Sequence, residues 1–179
     1  GIALSRMAKG TSRNDDPDVK KQLYEAILAY DESLKLRPDS ARVLLNRADA
    51  YMNLDIGRLN DALADVNRAI ELEPRLATAR AMRARLMTWR GDYIAAKGDI
   101  DAALEFDQDN KLAWVCQGEA LLIKDQSNAE ALQAYEKGMA GAEWLPRDYH
   151  NRGILRRRAG RLPDALTDHD QAVRMAPCV

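Results

Sequence analysis

Small residues recur along this chain at a nearly constant spacing, and this recurrence constrains the fold more than any other feature. Successive members of one alanine series are separated by 36, 34, 35 and 34 residues: Ala26, Ala62, Ala96, Ala131 and Ala165. Two further series run in step with it, namely Ser33, Ala69, Ala103, Gly138 and Ala172, and Ala48, Ala84, Gly118 and Gly153. Self-similarity at this period predicts an array of stacked units, each too small to bury its own apolar face.

Two short helices per period explain the spacing. In residues 77–110, Ala84 and Met87 share one face of a first helix, and Gly91 provides a turn because glycine tolerates a positive φ. The following stretch places apolar side chains at i, i+4, i+7 and i+8, which is the pattern of an amphipathic second helix: Ala96, Ile100, Ala103 and Leu104. We call the members of the first alanine series the lattice alanines. Gly57 and Gly160 each precede a lattice alanine by five residues, as Gly91 precedes Ala96, so we expect them to be turn glycines too.

The period divides the chain, as a single domain, into units at approximately 1–40, 41–76, 77–110, 111–145 and 146–179. The first unit departs from the pattern. We expect Ile2 and Ala3 to belong to its first helix, Gly10 to be its turn, and residues 11–21 to be an insertion. Asp16 and Pro17 predict the start of a lengthened second helix. Because the array ends without a polar capping helix, we also expect the chain to be part of a longer protein.

Two of the units resemble the tetratricopeptide repeat family most clearly. The matching residues are Trp114, Gly118, Leu121, Ala131 and Tyr135 in one unit, and Tyr149, Gly153, Gly160, Ala165, Ala172 and Pro177 in the other. The resemblance implies an all-α, right-handed superhelical solenoid of about five helix-turn-helix repeats. It also implies that the first helices line a concave groove.

By the geometry of that family, side chains of the first helices face the groove and would bind a peptide. The predicted peptide-binding residues are Asn46, Asp49, Met82, Arg85, Trp89, Val115, Glu119, His150, Asn151 and Arg157. Asn46 and Asn151 share one position of the repeat, and an amide can both donate to and accept from a peptide backbone. The alternative for apolar members such as Trp89 is that they pack beneath the turns.

Some members of the family hold C-terminal carboxylates with a clamp of lysines and asparagines. This chain keeps Asn46, but Thr78, Ala81 and Met82 stand where the clamp would need charge. The sequence therefore argues against a receptor for chaperone tails of this kind.

Arginine and aspartate occur together in three units. Arginine precedes the small residue of the first helix, and aspartate stands three residues after the lattice alanine. In the unit where Gln117 replaces the arginine, Ala134 replaces the aspartate. Since a partly buried charge needs its partner, we predict three structural ion pairs within hairpins, namely Arg47–Asp65, Arg83–Asp99 and Arg152–Asp168.

Composition limits the classes of function. The net charge of −1 gives no case for nucleic acid, and no run of 18 apolar residues predicts membrane insertion. With only two histidines and no catalytic, metal-ligand or phosphate-loop motif, we expect no enzymatic activity and no cofactor. Cys116 and Cys178 are expected to be free thiols, which favours a reducing compartment such as the cytoplasm.

These observations predict a non-catalytic interaction scaffold that binds a peptide segment of another protein in its groove. First helices are richer in basic residues than second helices, so we expect the partner segment, extended or helical, to carry acidic and apolar residues. Two alternatives stay open. The chain could self-associate through uncapped ends as an assembly module, or it could be a regulatory domain of a larger multidomain protein.

Overall fold

The computed structural model describes residues 17–54, 56–123, 128–141 and 144–175, and these residues form helices and turns without a strand. The α-helices within them are α1 (Pro17–Leu36), α2 (Ala41–Leu54), α3 (Leu59–Leu72), α4 (Ala77–Arg90), α5 (Tyr93–Phe106), α6 (Lys111–Ile123), α7 (Asn128–Gly138), α8 (Pro146–Arg158) and α9 (Leu162–Met175). The predicted all-α solenoid of helical hairpins is confirmed.

The helices are arranged in two layers. Each first helix (α2, α4, α6 and α8) packs along the second helix of its own unit and also against the second helix of the preceding unit. First helices in addition pack directly against each other, α4 against α6 and α6 against α8. The first helices therefore form the inner layer of a curved ribbon, and the second helices form the outer layer.

Local sequence determines where the helices begin and end. α1 spans Pro17–Leu36; Asp16, predicted to stand with Pro17 at its start, lies outside the described residues, as do Ile2, Ala3 and Gly10. At the start of α5, the carboxylate of Asp92 accepts a hydrogen bond of 3.1 Å from the backbone N–H of Ala95.

Two of the three predicted turn glycines adopt the left-handed conformation, Gly91 with φ 83° and Gly160 with φ 76°. Gly57 differs, because it lies in a short 3-10 helix, Ile56–Arg58, that joins α2 to α3. This connection belongs to the period of 36 residues, so its extra length replaces the single-glycine turn.

Helix backbones approach closely at two glycines of the small-residue series, Gly118 and Gly138. A Cβ built at Gly138 would lie 2.7 Å from the carbonyl oxygen of Lys111 and 2.8 Å from the backbone nitrogen of Val115. A Cβ at Gly118 would lie 3.0 Å from the carbonyl oxygen of Ala131. The small residues of this hairpin are thus required by the distance between α6 and α7.

We predict that Gly138→Ala destabilises the protein by about 1–3 kcal/mol, because backbone atoms cannot move aside as a flexible side chain could. Gly98→Ala is the matched control, since nothing lies within 4 Å of a Cβ at this exposed position inside α5. It should stabilise the protein by about 0.5–1 kcal/mol through the entropy of the unfolded chain. Urea unfolding measures both; equal effects of the two substitutions would contradict the close approach.

Candidate functional site

The structure brings together all three predicted arginine–aspartate partners. In each pair, the arginine donates from Nε and Nη2 to the two carboxylate oxygens at distances of 2.6–3.0 Å. The aspartates are buried on the second helices, and the arginines are half-buried on the first helices. The pairs are Arg47–Asp65, Arg83–Asp99 and Arg152–Asp168. Planar bidentate pairing of this kind fixes the rotation of one helix against the other.

The same arginines also connect neighbouring units, which sequence reasoning missed. Arg47 Nη1 lies 2.6 Å from Asp31, and Arg83 Nη1 lies 3.1 Å from the side-chain oxygen of Asn67. Both acceptors stand five residues after a lattice alanine of the preceding unit, and this regular spacing was a signal that could have revealed them. In the last unit the bridge is made by Arg156, which reaches Glu136 at 3.4 Å and Asp168 at 2.9 Å.

We predict that Asp99→Asn destabilises the protein by about 3 kcal/mol, because it leaves the half-buried guanidinium of Arg83 without its anionic partner. Asp101→Asn is the matched control on the same helix, since the ion pair of Asp101 within the described ranges is the exposed one with Lys97. It should change stability by less than about 0.5 kcal/mol. Chemical denaturation distinguishes the two; a small effect of Asp99→Asn would show that the pair adds little.

The predicted peptide-binding residues fall into two groups. Asn46, Asp49, His150 and Arg157 are exposed, and Trp89 is half-buried. The other five are buried inside this chain and offer no open surface: Met82, Arg85, Val115, Glu119 and Asn151.

Two of the buried residues serve contacts between helices. Val115 lies in the interface of α6 with α7, where its Cγ2 would be 2.6 Å from a Cβ at Gly138. Asn151 donates from Nδ2 to the hydroxyl of Tyr135 at 3.1 Å. Both side chains therefore contact neighbouring helices of this chain rather than a peptide. Asn151 shares its position in the repeat with Asn46, but Asn151 is buried and Asn46 is exposed.

Arg85 and Glu119 are covered by a later stretch of the chain. Asp148, on the first turn of α8, accepts from Arg85 Nη2 at 3.1 Å and 3.2 Å, across 63 residues of sequence. Arg147 Nη2 lies 3.2 Å from Glu119 Oε1. Arg85 and Glu119 were predicted to face the groove and bind a peptide. In the structure their ionic partners are Asp148 and Arg147 of the same chain.

Two tryptophans complete this cluster. The guanidinium carbon of Arg147 lies 4.5 Å from the centroid of the Trp89 ring, and that of Arg85 lies 5.9 Å from the centroid of Trp144. Both distances are within the range of a cation–π interaction. The residues contributed by 144–148 therefore contact α4 and α6 in two groups, one of Trp144, Arg85 and Asp148 and one of Trp89, Arg147 and Glu119.

Burial and charge oppose each other in the cluster. Burial raises the pKa of the Glu119 carboxyl, while the charges of Arg147 and Arg85 lower it in part. For Arg85, burial is the largest single influence and lowers the pKa of the guanidinium, but the combined electrostatic attraction of Asp148, Cys116, Glu119 and Tyr135 outweighs burial, so the pKa is raised. Two arginines against two carboxylates balance, and the cluster carries no net charge while all four groups are ionised.

A second region of the inner layer remains open. On α2, Arg42, Asn46 and Asp49 follow one another at i, i+4 and i+7, and all three are exposed. Loss of solvation raises the pKa of the Asp49 carboxyl, and the charge of Arg85 partly offsets this. We call these three residues the open stripe.

At the other end of the inner layer, His150 and Arg157 lie on α8, the first helix of the last hairpin. The rings of His150 and His169 are 5.2 Å apart. Burial lowers the pKa of His150, and electrostatic interaction with His169 and Arg157 lowers it further.

The described residues contain no group of three or more His, Cys, Asp or Glu side chains able to hold a metal ion. Across the same ranges, no helix combines the length and apolarity that crossing a bilayer requires.

Cys116 lies in the core of the inner layer, with its Sγ 3.6 Å from the carbonyl oxygen of Ala81. Burial raises the pKa of its thiol to about 12. In a Cys178→Ser background, we therefore predict that a disulfide reagent at mildly alkaline pH does not react with the native protein and reacts readily in denaturant. Rapid labelling of the native protein would contradict this burial.

Comparison with models of protein families finds no match. Among proteins of known name, the chain is similar to the Tetratricopeptide repeat and J domain-containing co-chaperone DNJ1 of Cryptococcus neoformans var. grubii, with 29 % identity over 113 residues, which is 63 % of this chain and 21 % of that protein. It is 32 % identical over 93 residues to the Hsp70-Hsp90 organizing protein of Triticum aestivum, covering 51 % of this chain and 16 % of that protein. The chain thus spans about a fifth or less of the length of these two relatives.

The fold is shared with solved structures. A thermophilic TPR protein from Thermus thermophilus matches with a TM-score of 0.67 at 17 % identity, over 93 % of this chain and 92 % of that one. At this identity the likeness concerns the arrangement of the helices alone.

Proposed function

Because the chain belongs to the tetratricopeptide repeat family, we propose that it is a non-catalytic scaffold that holds a segment of a partner protein on the open stripe of α2. The observation that carries this proposal is the exposure of Arg42, Asn46 and Asp49. The positions equivalent to Asn46 in the later first helices, Met82, Cys116 and Asn151, are all buried. Only at α2, among the described first helices, does this position of the repeat remain free to meet another molecule.

The chemistry of the stripe favours a polar contact with a peptide. The exposed amide of Asn46 can donate to a backbone carbonyl and accept from a backbone N–H. Arg42 at one end suits an acidic side chain, and Asp49 at the other end suits a donor. The relatives include a co-chaperone and an organizing protein for two chaperones, which supports a protein as the partner. The lysines of a carboxylate clamp are missing at Thr78, Ala81 and Met82, which favours an internal segment over a chain terminus.

To test the proposal, peptides are selected from a displayed random library on the wild-type protein. Their affinity is then measured for a variant carrying Arg42→Ala, Asn46→Ala and Asp49→Ala. We expect a loss of at least about tenfold, equivalent to about 1.4 kcal/mol. The control variant carries Ala64→Ser and Gln133→Ala on exposed positions of the outer helices and should bind as the wild type does. Selected peptides that bind the stripe variant normally would overturn the proposal.

One observation favours a second candidate, self-association through the last hairpin. Leu166 and Val173 of α9 are 64 % and 61 % exposed, whereas their equivalents in α7, Leu132 and Met139, are 7 % and 5 % exposed beneath the following unit. A second copy covering this face would bury it in the same way. Light scattering tests this: a dimer that Leu166→Glu converts to a monomer supports the candidate, and a wild-type monomer at high concentration excludes it.

A further inference from the structure

Five consecutive residues, 144–148, run from the connection before α8 into the first turn of that helix and contact the inner surface of α4 and α6. We call them the cis segment. Three of them make the contacts: Trp144 with Arg85, Asp148 with Arg85, and Arg147 with both Glu119 and Trp89. Every contact joins the side chain of one short stretch to side chains of two other helices. This is the contact pattern of a peptide in a groove, with the peptide supplied by the same chain.

The receiving residues, Arg85, Trp89 and Glu119, form what we call the receptor triad. Each was predicted from its position in the repeat to face the groove. Arg85 presents a cation that suits an acidic group. Trp89 presents an aromatic face, and Glu119 presents a carboxylate; both of these suit a basic group such as a guanidinium. The cis segment satisfies this set with its own aromatic ring and its adjacent Arg147 and Asp148.

The cis segment leaves several polar atoms of the cluster unsatisfied. Within the receptor triad, Arg85 Nε, Trp89 Nε1 and Glu119 Oε2 are buried and lack a hydrogen-bond partner among the described residues. Unsatisfied buried donors weaken a polar network. Carbonyl oxygens of a longer peptide backbone would provide acceptors for such donors, so the receptor triad retains binding capacity that the cis segment does not use.

We propose that the receptor triad is a second recognition site, specific for segments in which two residues separate an aromatic residue from a following Arg-Asp pair, and that the cis segment occupies it as an intramolecular ligand. The inference deepens the scaffold function and rests on it, but it concerns a surface distinct from the open stripe. A partner presenting this chemistry binds by displacing the cis segment. Because the linked segment has a high effective concentration, the site is closed to weak ligands and is selective for strong ones.

The test uses a synthetic peptide with the sequence of residues 144–150, acetylated and amidated at its ends. The released variant carries Trp144→Ala, Arg147→Ala and Asp148→Ala and keeps the receptor triad intact. We expect the peptide to bind the released variant at least about tenfold more tightly than it binds the wild type. A control peptide with alanine in place of its Trp, Arg and Asp should not bind, and adding Trp89→Ala to the released variant should abolish binding.

Loss of Asp148 leaves Arg85 buried without its partner and could prevent folding, which circular dichroism detects. If the released variant does not fold, the same binding measurement is made on the variant Trp144→Ala with Arg147→Ala, which keeps the Arg85–Asp148 pair. The proposal is overturned if a folded released variant binds both peptides alike or binds neither, or if the wild type binds the peptide as tightly. Arg42→Ala with Asn46→Ala in the released variant separates the two sites: binding should persist, and its loss would assign the peptide to the open stripe instead.

Discussion

The buried ion pair between Arg85 and Asp148 determines which part of the inner surface is available. It joins α4 to α8, two first helices with a third between them in sequence, at 3.1 Å. Both side chains are almost completely removed from water. Charges so placed require each other, because either one alone would carry the full cost of desolvation. The curvature of the inner layer between these helices is therefore fixed by electrostatics as well as by apolar packing.

The contact of the cis segment with α4 and α6 makes the inner surface differ from one unit to the next. Arg85 and Glu119 occupy the same position of the repeat as the exposed Asp49, yet the cis segment covers the first two and leaves the third open. A repeat array with equivalent sequences would present an equivalent groove along its length. Here the difference between one unit and the next creates two surfaces, one open and one occupied.

The repeat made part of this structure predictable. Relationships that follow the repeat spacing were visible in the sequence: the close approach at Gly118 and Gly138, the turn at Gly91, and the arginine–aspartate pairs of three units. Each depends on residues within one hairpin, separated by a spacing that the lattice itself reveals. The absence of both partners at Gln117 and Ala134 strengthened the prediction, since correlated replacement is expected when a buried charge needs its counterpart.

The occupied surface could not be predicted in the same way. Contact of Arg85 with Asp148 depends on the cumulative rotation between units, which the sequence spacing does not specify. Trp144 stands in a connection whose path depends on that rotation. The exposed or buried state of the Asn46 series likewise depends on what the following helices cover. The spacing of residues within a unit thus predicted the hairpins. The rotation between units, which that spacing does not specify, determined which inner residues are covered.

A double-mutant cycle on Arg85 and Asp148 tests the central claim most directly. Arg85→Met, Asp148→Asn and the double variant are compared with the wild type by chemical denaturation. Contact between the two helices in solution predicts that each single substitution destabilises the protein and that the pair couples by at least about 1.5 kcal/mol. Additive effects, with a coupling energy near zero, would show that α8 does not close over α4 and would leave the inner surface open along its length.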